Sequence, residues 1–235
     1  MKNENPNHEV YYKEYVNTFA YYSKNNQKVA AINLWANGFT MFHGATIIRE
    51  FDAFKNISIS SKSPPDFQTL LPYINDGLAD DIRIVTCFEN FMKGTLILSD
   101  IVVHKVSKKN KSLRKNQENR PINKSEIFNS DSFLNFDFQN KDKWETSFQT
   151  LNFSWMLKPQ YQAVINIPSD VLSIITKIND DRNKLHFMNL KEFSISNLKI
   201  DEYSKLISFV DTTIRKCIAD LNENMSILRE EIRNK

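Results

Sequence analysis

Apolar residues along this chain recur mostly at intervals of three and four, the spacing of one face of an α-helix. Tyr11, Tyr15, Phe19 and Tyr22 predict a short first helix that stops at the polar pair Asn25 and Asn26. A second helix is expected from Val29 to about Phe54, carried by Ile32, Trp35, Phe39, Phe42 and Thr46 and weakened by Gly38 and Gly44. His43 lies beside that face and reads as a packed or surface histidine. Ser61 to Pro65 has turn chemistry, and a short helix around Phe67 to Ile74 precedes a second connection at Asp76 and Gly77. The strongest pattern runs from Leu78 to Val106. There Ile82, Val85, Phe88, Met92, Leu96, Leu98, Val102 and Val103 occupy more than one face, which predicts a central buried helix with Asp80 and Asp81 in its first turn.

Ile127 to Asn140 fits either an irregular aromatic segment or a short strand, with Phe133, Phe136 and Phe138 as its bulk. Trp144, Phe148, Leu151 and Trp155 return to helical spacing, and Tyr161 to Ile167 fits helix or extended chain. Pro168 suits the first turn of a new helix, in which Val171, Ile174, Ile175 and Ile178 form a stripe. The last helix is expected from about Asp201 to Asn234, with a seam of Tyr203, Ile207, Val210, Ile214, Cys217, Leu221, Met225, Leu228 and Ile232. At the α-helical rise it spans roughly 50 Å, enough to project or to pair with another chain as well as to pack within its own.

Composition agrees with this pattern. A chain of 235 residues that is 41% hydrophobic, with 17 Phe, buries a substantial core, and only 4 Gly and 7 Pro leave few turn signals for a sandwich or barrel. The expectation is an all-α protein, a single domain over residues 1–235, built as a helical bundle with a long C-terminal helix and a basic loop insertion. Residues 1–9 lack the order of a secretory signal, and no apolar run reaches the roughly 18 residues of a membrane span, so a soluble, cytoplasmic protein with no membrane association is expected. Cys87 and Cys217 have neither disulfide nor metal-ligand spacing and read as core residues. No phosphate loop, nucleophile elbow or H-E-x-x-H signature occurs, and no metal or other cofactor is expected. The net charge of +3 does not by itself imply nucleic-acid binding. Charge is nevertheless clustered: Lys105, Lys108, Lys109, Lys111, Arg114, Lys115, Arg120 and Lys124 are opposed only by Glu118, as a solvated loop or as a surface for a phosphate backbone.

Continued at 3.6 residues per turn, the Val171 stripe places Arg182 near its centre, where a cation should solvate something. If the helix persists, Arg182 and His186 lie one turn apart on one face and can address the same anion, phosphate being the natural candidate. If it ends near residue 180, both are solvated or are partners of Asp180 and Asp181. His8 and His104 have no identifiable partner, and Glu89 with Lys93 has the spacing of a helix-surface ion pair.

The order of these features matters: a buried helix bearing Cys87-Phe88-Glu89-Asn90-Phe91-Met92-Lys93-Gly94, then Arg182-Asn183-Lys184-Leu185-His186-Phe187, then a closing amphipathic helix. It resembles the HEPN superfamily of helical proteins, with the core resemblance over residues 78–235 and the basic loop at 105–125 as an insertion. Three residues separate Arg182 from His186, fewer than the family pattern usually has. The resemblance implies a homodimer that brings two motifs into one cleft, and a metal-independent ribonuclease of a toxin or antiphage defence system, with an antitoxin or other protein partner. It makes Arg182 the group that stabilises the scissile phosphate, Asn183 the group that orients it and His186 the proton-transfer group. The basic segment would steer RNA. A noncatalytic helical module that dimerises or holds a partner through the C-terminal seam is the alternative, and an RNA-binding scaffold that does not cut is a third.

Overall fold

The computed structural model describes residues 20–60, 67–108, 120–128, 144–186 and 200–233. Its regular structure is overwhelmingly helical, so the fold class is all-α, as the periodicity indicates. In chain order the helices are α1 (Lys24–His43), α2 (Thr46–Arg49), α3 (Phe51–Ser60), α4 (Phe67–Leu98), α5 (Phe153–Met156), α6 (Pro159–Ile165), α7 (Ser169–His186), α8 (Ile200–Phe209) and α9 (Arg215–Arg233). A π-helical segment, Val210–Ile214, joins α8 to α9, and short 3₁₀ turns lie at Ala20–Tyr22 and Lys124–Glu126. Strands β1 (His104–Lys108) and β2 (Trp144–Thr150) form a two-stranded antiparallel ribbon, in register from Val106 against Thr146 to Lys108 against Trp144, with an irregularity after His104. The expected first helix at Tyr11 to Tyr22 lies mostly outside the described residues, as does most of the segment from Ile127 to Asn140.

The chain forms two compact units, residues 1–33 with 92–166 and residues 34–91 with 167–235. In the first unit the decisive event is the end of α4. The apolar pattern continues to Val103, yet the helix stops at Leu98 because Asp100 adopts a left-handed conformation, φ 61°. The Ile101 N–H then bonds the Leu96 carbonyl at 2.9 Å and the Asp100 N–H bonds that of Ile97 at 3.1 Å, the pair of bonds that closes a Schellman cap. A non-glycine residue pays about 1 kcal/mol or more for that conformation. The Asp100 carboxylate offsets this cost by accepting from Gln27 Nε2 at 2.9 Å and from Lys124 Nζ at 2.9 Å. Burial would raise the Asp100 pKa, but these hydrogen bonds and the Lys124 charge hold it below the usual carboxylate range. Lys124 is itself buried and also donates to the Tyr22 carbonyl and to Gln27 Oε1, each at 3.2 Å.

Beside this cap the fully buried Tyr22 hydroxyl accepts the N–H groups of Val103 (2.9 Å) and His104 (3.2 Å) and lies 2.7 Å from His104 Nδ1. With two donors already pointing at the oxygen, its own hydrogen goes to Nδ1, which leaves the imidazole proton on Nε2. Desolvation, helped by the nearby Lys93 charge, lowers the His104 pKa to about 4 and keeps the ring neutral. Lys93 donates to Thr150 Oγ1 at 2.9 Å, fastening α4 to the end of β2.

The second unit is a helical core. Gly38 permits close approach of α1 and α4: a Cβ at this position would meet the Cys87 carbonyl oxygen at 2.9 Å. Around that contact Trp35 donates to the Phe91 carbonyl at 3.1 Å, and Phe88 and Phe91 pack on Phe209. The expected helix from Val29 to Phe54 is divided here, ending at His43 and resuming at Thr46. The break is held from α4. Asp80 Oδ1 and Oδ2 accept the N–H groups of Thr46 (2.8 Å) and Ile47 (2.9 Å), and Asp76 accepts the Thr46 hydroxyl at 2.9 Å. Asp80 and Asp81 therefore lie in the middle of a helix that starts at Phe67, rather than in its first turn, and Asp80 serves the N-terminus of α2.

Candidate functional site

The residues singled out in the sequence fall on two places, one in each unit. In the second unit, Pro168 opens α7 as expected, its carbonyl accepting the Leu172 N–H at 2.8 Å. The stripe of Val171, Ile174, Ile175 and Ile178 is buried to 5% exposure or less. The next turn of that stripe carries Asn179, which is also buried, and then Arg182, half-buried. The Arg182 guanidinium donates to Asn179 Oδ1 at 3.0 Å, so the polar group one turn back fixes its direction. Its Nε is buried and has no hydrogen-bond partner among the described residues. Asn183 is half-buried on the adjoining face. The helix does not stop near residue 180. It continues through His186, and four residues at 100° each bring the His186 backbone to within about 40° of the azimuth of Arg182, one turn along. The side chain of His186 lies outside the described residues.

The neighbourhood of α7 includes a carboxyl group to which the sequence reading gave no such role. Asp81, on α4, is only 6% exposed, and its pKa is raised to about 7 by desolvation, then by the charges of Asp181 and Asp80. Asp181 is the residue just before Arg182, so the protonation of Asp81 bears on the acidic surroundings of the motif. Among the described residues no group of three or more His, Cys, Asp or Glu side chains is arranged to hold a metal ion.

In the first unit the basic segment divides. Lys105 and Lys108 belong to β1, whereas Lys109, Lys111, Arg114 and Lys115 lie outside the described residues. Arg120 and Lys124 are not loop cations free for a phosphate backbone: Arg120 makes a bidentate pair with Glu126 at 2.8 and 2.7 Å, and Lys124 is the buried partner of Asp100. Lys105 donates to Gln149 Oε1 at 3.1 Å, and its ammonium lies 5.9 Å from the centre of the Trp155 ring. Lys158 lies 5.7 Å from the same ring. Two ammonium groups over one half-exposed indole form a small basic and aromatic platform. Trp155 escaped notice because its spacing from Leu151 assigned it to a helix core. The stretch behind it, Trp144 to Thr150, is a strand and not the helix that the same spacing predicts.

Comparison with protein-family models, with curated proteins and with solved structures finds no match to this chain. No described helix is long and apolar enough to cross a membrane.

Proposed function

We propose that this chain is an RNA-directed protein of HEPN type, acting as a metal-independent endoribonuclease of a toxin or antiphage defence system. The observation that carries this reading is α7, which runs unbroken from Ser169 to His186 and so keeps Arg182 and His186 one turn apart on one face. The Arg182 Nε, buried without a partner among the described residues, supplies donor capacity that an anion would satisfy. In the proposed reaction the RNA 2′-oxygen attacks its adjacent phosphorus and the bond to the 5′-oxygen breaks, leaving a cyclic phosphate and a 5′-hydroxyl. His186 takes the 2′-hydroxyl proton, and the departing 5′-oxygen is protonated in turn, so no proton is consumed overall. Arg182 balances charge developing on the phosphoryl oxygens and Asn183 orients them. The Lys105, Lys158 and Trp155 platform offers cations and a stacking surface to single-stranded RNA.

The test is incubation of the purified protein with mixed RNA in the presence of a chelator. Cleavage by wild type that falls at least a hundredfold in His186→Ala and Arg182→Ala, with folding intact by circular dichroism, supports the reading. Equal cleavage by wild type and His186→Ala removes His186 from the mechanism.

A second reading, a noncatalytic module that dimerises or holds a partner, is favoured by the last helix. Among the described residues, Tyr203, Leu206, Phe209, Val210 and Ile214 are buried, Cys217, Ile218 and Leu221 are half-buried, and Ala219, Asp220, Asn222, Glu223, Asn224 and Ser226 are exposed, while the sequence seam continues through Met225, Leu228 and Ile232. Monomeric behaviour across micromolar concentrations in analytical ultracentrifugation would remove self-association as its role.

A further inference from the structure

The C-terminus of α1 and the π segment, both in the second unit, bring together a histidine, a carboxylate, a guanidinium and two aromatic rings that the motif on α7 does not use. One oxygen, Asp211 Oδ1, lies 3.0 Å from an Arg215 terminal nitrogen and 3.2 Å from His43 Nε2. The first contact is an aligned hydrogen bond. The second is within ion-pair reach but lacks hydrogen-bond alignment, since the buried His43 Nε2 finds no hydrogen-bond partner. Phe39 backs both groups: its ring centre is 4.4 Å from that of His43 and 5.3 Å from the Arg215 guanidinium carbon. Phe42 closes the other side of the imidazole edge-on at 5.5 Å.

Taken alone, Arg215 and Asp211 are an ordinary pair one turn apart on a helix, worth a fraction of a kcal/mol at most. What sets them apart is convergence. His43 and both phenylalanines come from a different helix, and Asp211 stands in a π turn, a conformation that recurs at functional sites because it re-aims side chains within a continuous helix. The site is also accessible, with the His43 side chain 35% exposed and that of Arg215 63% exposed. Asp211 occupies one donor of a guanidinium that has five, and the Phe39 face restrains the plane of the remaining fork.

We propose that Phe39, His43, Asp211 and Arg215 form a phosphate-binding site, in which the outer edge of Arg215 donates to the ligand, Asp211 and Phe39 hold the guanidinium in place and the imidazole of His43 borders the bound group. It stands on its own geometry and goes beyond the reading of the α7 motif. The ligand chemistry is a phosphate group, carried either by an RNA strand or by a free phosphate.

The experiment follows the imidazole signals of the full chain by NMR, with His43 assigned through His43→Gln. Inorganic phosphate and a short oligouridylate are titrated separately, with sodium chloride holding ionic strength constant. The site predicts a saturable shift of the His43 signals that is weakened about tenfold in Arg215→Lys, which keeps the charge and loses the planar fork, and that is unchanged in Arg182→Gln. Saturation by both probes, by oligouridylate alone or by phosphate alone each supports the site and tells which source it reads. A shift that never saturates with either probe, or one retained in full by Arg215→Lys, overturns it. RNA cleavage plays no part in this readout, so loss of the nuclease reading leaves the result interpretable.

Discussion

Asp81 offers the sharpest physical test, because a buried carboxyl that titrates near neutrality destabilises the fold whenever it is charged. Its pKa is raised from 3.8 to about 7, first by desolvation and then by Asp181 and Asp80. A carboxyl whose folded pKa lies above its unfolded value gives a contribution fully present below pH 3.8 and lost as pH rises through about 7. The displacement of roughly three pH units corresponds to about 4 kcal/mol between those limits. Asp81→Asn supplies a neutral side chain of the same shape at every pH. The variant should match wild type near pH 4 and exceed it by up to about 4 kcal/mol at pH 8, with the difference growing between. Urea unfolding of both proteins at half-unit pH steps measures this, and taking the difference cancels the titration of shared groups that are not coupled to Asp81. A variant less stable than wild type at pH 8, or a difference that does not change with pH, would refute the argument and mean that Asp81 is held by a partner that prefers its charge.

The remaining predictions concern packing and the first unit. Gly38→Ala should cost about 1–3 kcal/mol because the new methyl meets backbone of α4, whereas Gly77→Ala, with nothing within 4 Å, should gain up to about 1 kcal/mol; thermal melts of the two variants should move in opposite directions. Tyr22→Phe strips the acceptor from two backbone N–H groups and the donor from His104, and chemical denaturation should register a loss of about 2–4 kcal/mol. His104, whose pKa falls from 6.5 to about 4, gives a contribution present above pH 6.5 and lost as pH drops through 4, so wild type should lose about 3 kcal/mol relative to His104→Gln between pH 7 and pH 4.

The helical class and much of the helix faces could be read from the sequence because spacing of three and four reports burial: Val171, Ile174, Ile175 and Ile178 are buried as the pattern puts them, as are Tyr203, Val210 and Ile214, whereas Ile207 is half-buried and Ile82 is exposed. Boundaries were harder. Val102 and Val103 continue the apolar period past a helix that has ended, since the stop signal is an aspartate in a left-handed conformation, stabilised by a glutamine and a lysine distant in sequence. Trp144, Phe148 and Leu151 fit a helical period by coincidence, whereas Trp144, Thr146, Phe148 and Thr150 alternate with Glu145, Ser147 and Gln149 at the period of a strand. Of the candidate sites, the placement of Arg182 at the end of a buried stripe was evident from spacing. The meeting of Asp81 with Asp181, of His43 with Asp211 and of Lys105 with Trp155 was not, because each depends on which helices or strand ends come together, whereas Asn179 with Arg182 and Asp211 with Arg215 are pairs at helical spacing that the sequence already holds.

The two arginines of the second unit are oriented in two different ways. Arg182 extends an apolar stripe, so its stem is packed and its guanidinium is oriented by a neutral amide, Asn179, which takes one donor without cancelling charge. Arg215 is solvent-facing and oriented by a carboxylate, Asp211, which takes one donor and does cancel charge. A phosphate approaching Arg182 therefore meets a cation whose opposition comes only from the acidic residues around it, and the proton held on Asp81 below about pH 7 removes one of those negative charges. At Arg215 the opposition is built into the site, because the one Asp211 oxygen lies within reach of both the guanidinium and the His43 imidazole. The first arrangement leaves the guanidinium charge uncancelled by the group that orients it. The second cancels part of that charge, and this difference is the physical ground for testing the two with separate substitutions.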